Sequence, residues 1–263
     1  MKIKFIGVGS AFTTFKYYQS NMLILARSGK KMLVDCGSDA RFALSECNIH
    51  NLNLCEEIDA VYISHLHADH IGGMEWLAFN TYFSPNRVRP KLFMEARLMD
   101  EMWNNSLKGG LGRIEGKEMN LSEYFDCRPL GCGDSFLWEG IRFELVKMPH
   151  VIIDERGHSS FGLLIKEAER NGQAVFITMD TQFQPDVISR VGEKVVAVFH
   201  DCETTPFKSI IHTHYDDLCT LPEALKKKMW LYHYQPDPDF QPEADGFKGF
   251  VTKGQEFDFT EES

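Results

Sequence analysis

The sequence lacks several features that would place it quickly. It has no C-x-x-C pair: its seven cysteines (Cys36, Cys47, Cys55, Cys127, Cys132, Cys202, Cys219) are odd in number and irregularly spaced. Free thiols in a reducing compartment are therefore expected, and with them a cytoplasmic location. No uninterrupted apolar run approaches the length of a membrane span. There is no basic excess either, since 28 Lys+Arg face 38 Asp+Glu for a net charge of −10. That balance argues against a broad electrostatic footprint for DNA or RNA. Pro/Gly/Ser linkers, repeats and low-complexity tracts are missing as well, so one domain over residues 1–263 is expected. Met1 to Gly9 meets glycine too early for a signal peptide and is expected to form a first strand.

What is present is ordinary for a globular chain: 43% hydrophobic and 25% charged residues. Strand signals crowd the first third, at Lys2 to Val8, Asn21 to Ala26, Lys31 to Val34 and Ala60 to Ser64. Helical spacing follows at Asp39 to Cys47, at Ile71 to Phe83, and at Ala96 to Leu107, where Gly109-Gly110 is expected to stop the helix. Lys91 to Glu95 is a strand candidate. Leu111 to Glu118 is glycine-rich and charged, which predicts a mobile loop. Strands return at Ile141 to Met148, Phe161 to Ile165, Ala174 to Met179, Val195 to Phe199 and Met229 to Tyr232, with helices near Pro185 to Val191 and Leu221 to Lys228. Two strand-rich halves with helices between them suggest an α/β fold of two mixed sheets packed face to face with helices outside, an αββα sandwich.

One stretch carries chemistry. His65-Leu66-His67-Ala68-Asp69-His70 places three of the ten histidines and a carboxylate in six residues, directly after an apolar strand. Imidazole and carboxylate are the ligands that zinc and related divalent ions take at catalytic sites. Four such groups in one turn do not all aim at one small ion, but a pair of ions accommodates them. Gly72-Gly73 follows and lets the backbone turn tightly. Three further candidates close strand-like runs: His150, Asp180 and His233. A carboxylate has two oxygens and can touch two ions, so Asp180 is the natural bridge. The expected assignment is His65, His67, His150 and Asp180 on one metal, and Asp69, His70, His233 and Asp180 on the other. The ions are expected to be zinc, with manganese as the alternative.

This pattern resembles the metallo-β-lactamase-fold hydrolases. Their H-x-H-x-D-H hallmark stands as His65 to His70, and Gly7-Val8-Gly9-Ser10 and Leu33-Val34-Asp35-Cys36-Gly37 match the family too. The resemblance implies the αββα fold and places Asp35 behind the ligand loop as its support. Two metals suit in-line displacement at phosphorus by a bridging hydroxide, with a general acid for the leaving oxygen. His200-Asp201 and His212-Thr213 look like variants of two motifs of the ribonuclease Z branch. That likeness implies His212 as proton donor oriented by Asp201, with His214 as a competitor and Asp69 counted among the catalytic groups.

Only 29 residues separate His150 from Asp180, where a tRNA-processing relative carries a protruding RNA-clamping arm. The compact form and the Trp230-Leu231-Tyr232-His233-Tyr234 segment resemble the anti-Pycsar branch, whose members hydrolyse cyclic mononucleotides. The expected function is thus a dinuclear phosphodiesterase of cyclic nucleotides, a homodimer with a small nucleotide partner, no membrane and no extended nucleic acid. The loop around Leu107 to Glu118 is expected to reach a neighbouring site, and Tyr82, Phe83, Trp103 and Tyr234 to stack on a base. The alternatives are a ribonuclease Z-type endonuclease acting on tRNA 3′ ends and a non-catalytic binding module.

Overall fold

The computed structural model describes residues 1–50, 53–152, 158–168 and 173–260. In chain order the strands are β1 (Lys2–Phe5), β2 (Met22–Leu25), β3 (Lys31–Val34), β4 (Ala60–Tyr62), β5 (Lys91–Glu95), β6 (Arg113–Ile114), β7 (Lys117–Glu118) and β8 (Asp126–Leu130). The second half supplies β9 (Ser135–Trp138), β10 (Ile141–Val151), β11 (His158–Glu167), β12 (Val175–Ile177), β13 (Ala197–Asp201), β14 (Met229–Tyr232), β15 (Gly249–Phe250) and β16 (Glu256–Asp258). Fourteen of them form two seven-stranded mixed sheets, ordered β16-β1-β2-β3-β4-β5-β8 and β15-β14-β13-β12-β11-β10-β9, and β6 and β7 pair with each other alone.

The central strands β3, β4, β12, β13 and β14 are mostly apolar and rich in Val, Met, Leu, Phe and Tyr, residue types that pack on a pleated surface buried on both faces. Their inner faces meet across the sandwich. Phe5 of the first sheet touches Phe199 and Tyr232 of the second at ring-centroid distances of 5.0 and 5.4 Å. The Tyr62 hydroxyl donates to the Phe161 carbonyl at 2.7 Å, joining the sheets close to the histidine-rich loop. The outer face of the second sheet (Phe176, Val198, Met229, Leu231) is covered by the helices Pro185–Gly192, Tyr215–Cys219 and Glu223–Lys226.

The structure departs from the sequence pattern where strands are short or at an edge. β8 carries Pro129 and two charged residues, Asp126 and Arg128. Proline is tolerated at a sheet edge because it gives up a single ladder donor there, and its presence hid the strand. β15 and β16 have two and three residues and are likewise edges.

Leu111 to Glu118 is not a loop. The helix Ala96–Met102 continues as a π turn (Trp103–Leu107) and then through both glycines to Leu111. It hands over to the β6–β7 hairpin. Glu115 and Gly116 both take positive φ (51° and 78°), the conformation a two-residue hairpin turn demands. Buried Leu111 and Ile114 anchor this segment, which is why charge and glycine content misled. The helix expected over Ile71 to Phe83 divides into Ala68–Ile71 and Met74–Phe83. The one expected over Leu221 to Lys228 shortens to Glu223–Lys226, and a further one appears at Tyr215–Cys219.

Candidate metal centre

Strand directions put the key residues at one edge. β12, β13 and β14 run parallel, and β10 reaches the same direction through antiparallel β11. Their C-terminal ends therefore lie together, where open α/β sheets bind ligands. His150 stands near the end of β10, Asp180 three residues past β12, Asp201 at the end of β13 and His233 just past β14. In the first sheet, Asp35 follows β3 and His65 follows β4 by three residues. Asp35, Met179 and His233 have φ of 59°, 55° and 65°, a left-handed turn that costs non-glycine residues about 1 kcal/mol or more. Packing holds all three in it, and each is or directly precedes a residue of the site.

The His65–His70 loop combines two local structures. His67 has extended backbone and starts the helical turn that carries Asp69 and His70. Gly37 and Gly73 let the Asp35 turn press against this loop. A Cβ on Gly37 would lie 2.1 Å from the Asp69 carbonyl, and one on Gly73 would lie 2.5 Å from the Gly37 carbonyl.

Three groups of ligand atoms converge, each within 4.8 Å: His65, His67, His150 and Asp180; Asp69, His70, Asp180 and His233; and Asp180, Asp201, His212 and His233. In the first, His67 Nδ1 is 3.1 Å from His65 Nε2 and 3.0 Å from His150 Nε2. Donors bound at 2.0–2.1 Å around one tetrahedral ion stand about 3.3 Å apart, so the three nitrogens outline such a site. In the second, Asp69 Oδ2 is 3.3 Å from both His70 Nε2 and His233 Nε2. Asp180 Oδ2 is common to all, at 3.2 Å from His70, 3.5 Å from His233, 3.7 Å from His65 and 3.8 Å from His150.

The outer ring nitrogens are fixed from behind. Asp35 accepts from His70 Nδ1 at 2.7 Å and from the Ser64 hydroxyl and N–H at 2.8 Å each. That hydroxyl in turn accepts from His65 Nδ1 at 3.0 Å. His150 Nδ1 donates to the Ile211 carbonyl at 2.8 Å. His212 Nδ1 donates to Asp201 Oδ2 at 2.9 Å, which also accepts from the Thr181 N–H. His233 Nδ1 faces Asp201 Oδ1 at 3.2 Å. With Nδ1 tied outward in each, Nε2 of His65, His70, His150 and His233 points inward, the nitrogen that a cation would take in place of any proton there.

Two observations test whether these residues fit divalent cations. Both oxygens of Asp180 and His70 Nε2 are buried and have no hydrogen-bond partner among the described residues. Such orphaned groups are costly unless a counter-charge meets them, and a cation at the shared point meets all three. The electrostatics agree. Burial pushes His65 well below its ordinary value and His150 down to about 4, keeping both neutral. Burial also opposes charge on His70 and His233, but the Asp180 carboxylate and its acidic neighbours overcome it, lifting His70 well above the usual range and His233 to about 10. Burial disfavours the Asp69 and Asp180 carboxylates, yet the imidazoles around them hold both below the ordinary range. The pocket is built to stabilise positive charge.

The third group differs. Asp201 is buried too, but His212 beside it draws its carboxyl down to about 2, and Asp201 raises His212 in turn despite burial. This is a hydrogen-bonded acid–imidazole pair, with Asp180 Oδ2 3.9 Å from His212. His214 is not brought into any of the three groups. Its Nε2 donates to the Thr205 carbonyl at 2.9 Å and its Nδ1 accepts from the Asp216 N–H, capping a helix. His200 is buried with Nδ1 donating to the Asp201 carbonyl.

The aromatics expected to stack on a base are engaged elsewhere. Tyr82 and Trp103 pack on Tyr124, Phe83 on Phe79 and Tyr82, and Tyr234 on Tyr17 and Phe250. Gln182, which sequence reading passed over, donates to the His150 and Ile210 carbonyls; a lone glutamine in a loop gives no signal of that role. Part of the interval between His150 and Asp180 lies outside the described residues, and so does the His158 side chain.

Two face-to-face mixed sheets with outer helices and a histidine-rich edge define a metallo-β-lactamase-fold protein. Solved structures agree. The metallo-β-lactamase fold protein YhfI from Bacillus subtilis superposes with a TM-score of 0.71 at 16% identity, covering 97% of this chain and 98% of that one. Zn(2+)-bound PqqB from Methylobacterium extorquens gives 0.72 at 12% identity, covering 98% and 100%. The family model described as Anti-Pycsar protein Apyc1 matches residues 1–257. A protein of that name from Paenibacillus harenae is 34% identical over 236 residues, covering 89% of this chain and 90% of its own length. The chain belongs to the Anti-Pycsar protein Apyc1 family.

Proposed function

We propose that this protein is a two-metal phosphodiesterase that opens the phosphodiester ring of small cyclic nucleotides. The observation that carries the reading is a single buried carboxylate, Asp180, unpartnered and set among the His65, His70, His150 and His233 imidazoles. His65, His67 and His150 would hold one ion and Asp69, His70 and His233 the other, with Asp180 shared. When bound, such a pair supplies Lewis acidity to the phosphoryl oxygens and acidifies an attacking water. Asp201 keeps His212 Nδ1 protonated and oriented, leaving Nε2 to give its proton to the departing sugar oxygen as the P–O bond breaks.

Family membership supports the substrate class, and an acidic chain suits a small nucleotide better than a long polyanion. The same reading takes the protein as a cytoplasmic homodimer. All seven cysteines are free, and among the described residues no helix is long and apolar enough to cross a membrane.

The test combines metal analysis with turnover. Two equivalents of zinc or manganese per chain and ring opening of 3′,5′-cyclic mononucleotides to nucleoside monophosphates are expected. Efficient cleavage of precursor tRNA with cyclic nucleotides untouched would overturn the substrate. A protein with full metal and no hydrolysis of either would leave a binding module. Light scattering checks the dimer.

A further inference from the structure

The three most exposed large hydrophobic side chains among the described residues are Phe12 (93%), Ile210 (82%) and Phe207 (75%). All three lie on segments that adjoin the metal centre. Phe12 is two residues past Ser10, whose N–H donates to the carbonyl of Tyr234, the neighbour of His233. Phe207 and Ile210 lie on the segment between Asp201 and His212.

That second segment is held along its length. The Thr205 carbonyl accepts from His214 and the Phe207 carbonyl from the Thr205 hydroxyl. The Ser209 N–H donates to Glu203, the Ile210 carbonyl accepts from Gln182, and the Ile211 carbonyl accepts from His150. The last two contacts tie this segment to the strand end that carries a candidate ligand. Phe207 and Ile210 thus project from a fixed backbone beside the site without a packing partner to cover them. Water contact for a large apolar side chain is unfavourable, and no hydrogen bond of this segment requires an apolar residue at either position.

The metal centre itself is all imidazole and carboxylate. It deals with the phosphodiester, and its polar groups are turned to that task rather than to the rest of a nucleotide. We propose that Phe207 and Ile210, joined by Phe12 from the neighbouring segment, form an apolar rim that takes the nucleobase of the substrate. This rests on the phosphodiesterase reading and adds the determinant that separates a nucleotide from a bare phosphodiester. A base stacks on an aromatic face whatever its hydrogen-bonding edge, so the rim selects for the presence of a base more than for its identity.

The test compares a 3′,5′-cyclic purine mononucleotide with trimethylene phosphate, a six-membered cyclic phosphodiester that has no base. In Phe207→Ala the ratio of kcat/KM for the nucleotide to that for the base-free ring is expected to fall about tenfold, mostly through KM, with a smaller drop in Ile210→Ala. Phe207→Trp should restore the ratio, and the fluorescence of the introduced indole should be quenched by a hydrolysis-resistant cyclic phosphorothioate but not by trimethylene phosphate. An unchanged ratio in the alanine variants overturns the rim. So does an equal loss on both substrates, which marks a structural role, or a loss that tracks a change in oligomeric state, which marks contact with a second copy. Wild-type protein inert toward both compounds would refute the phosphodiesterase reading, and the rim with it.

Discussion

The two sheets supply the metal centre in different ways. The first delivers His65, His67, Asp69 and His70 on one continuous loop and backs them with one buried carboxylate, Asp35, which reaches His70 directly and His65 through Ser64. The second delivers its groups one strand end at a time, as His150, Asp180 and His233, and backs them with another buried carboxylate, Asp201. Asp35 serves ligands alone. Asp201 holds His212, the proposed acid, and also faces the ligand His233. Under the proposed function, one half would be specialised for binding cations, and the other would couple binding to proton transfer.

The sharpest way to break this contrast is Asp180→Ala. Asp180 belongs to the second sheet but to all three ligand groups. Loss of turnover to background together with loss of metal is expected, read by metal analysis beside a hydrolysis assay. Unchanged hydrolysis would remove the shared-carboxylate geometry. Next comes His212→Ala, which should lower kcat by about 10²–10⁴-fold while metal content stays at the wild-type level. Metal loss in that variant would make His212 a ligand and dissolve the division of labour.

The two backing carboxylates come third. Asp35→Asn and Asp201→Asn should each cost about 10–100-fold. In Asp35→Asn the deficit should appear in metal affinity, measured by competition with a chelator, and excess metal should recover it. In Asp201→Asn it should persist in kcat at saturating metal. The same split in both variants would mean that the halves are equivalent. The smallest effect is expected from Ser64→Ala, about fivefold in metal affinity, the worth of one net hydrogen bond relayed from Asp35 to His65.

The same asymmetry explains what could be read in the chain. The first half of the centre is legible because its candidate ligands are neighbours in sequence: residues 65 and 67 lead into a helical turn at 69 and 70 that puts them on one loop whatever surrounds it. His150, Asp180 and His233 are legible only as polar residues closing apolar runs. Asp201 was reachable through its motif, but its double reach to His212 and His233 depends on β13 lying beside β14, a pairing no local pattern specifies. Charge and glycine in Leu111 to Glu118 suggested a loop, while buried Leu111 and Ile114 and two left-handed residues made a hairpin. The segment bearing Phe207 and Ile210 gave no signal, since an apolar residue reads as core until its exposure is known.

The sequence by itself determined the central strands, the histidine loop and the set of donor groups, because strand periodicity and donor atoms are local properties. Only the tertiary structure decided which imidazole nitrogen turns inward, where His214 is engaged and which apolar side chains stay in water. Several of those outcomes depend on partners far along the chain, such as Asp35 for His70 and Ile211 for His150, and the order of strands in the sheets brings them together.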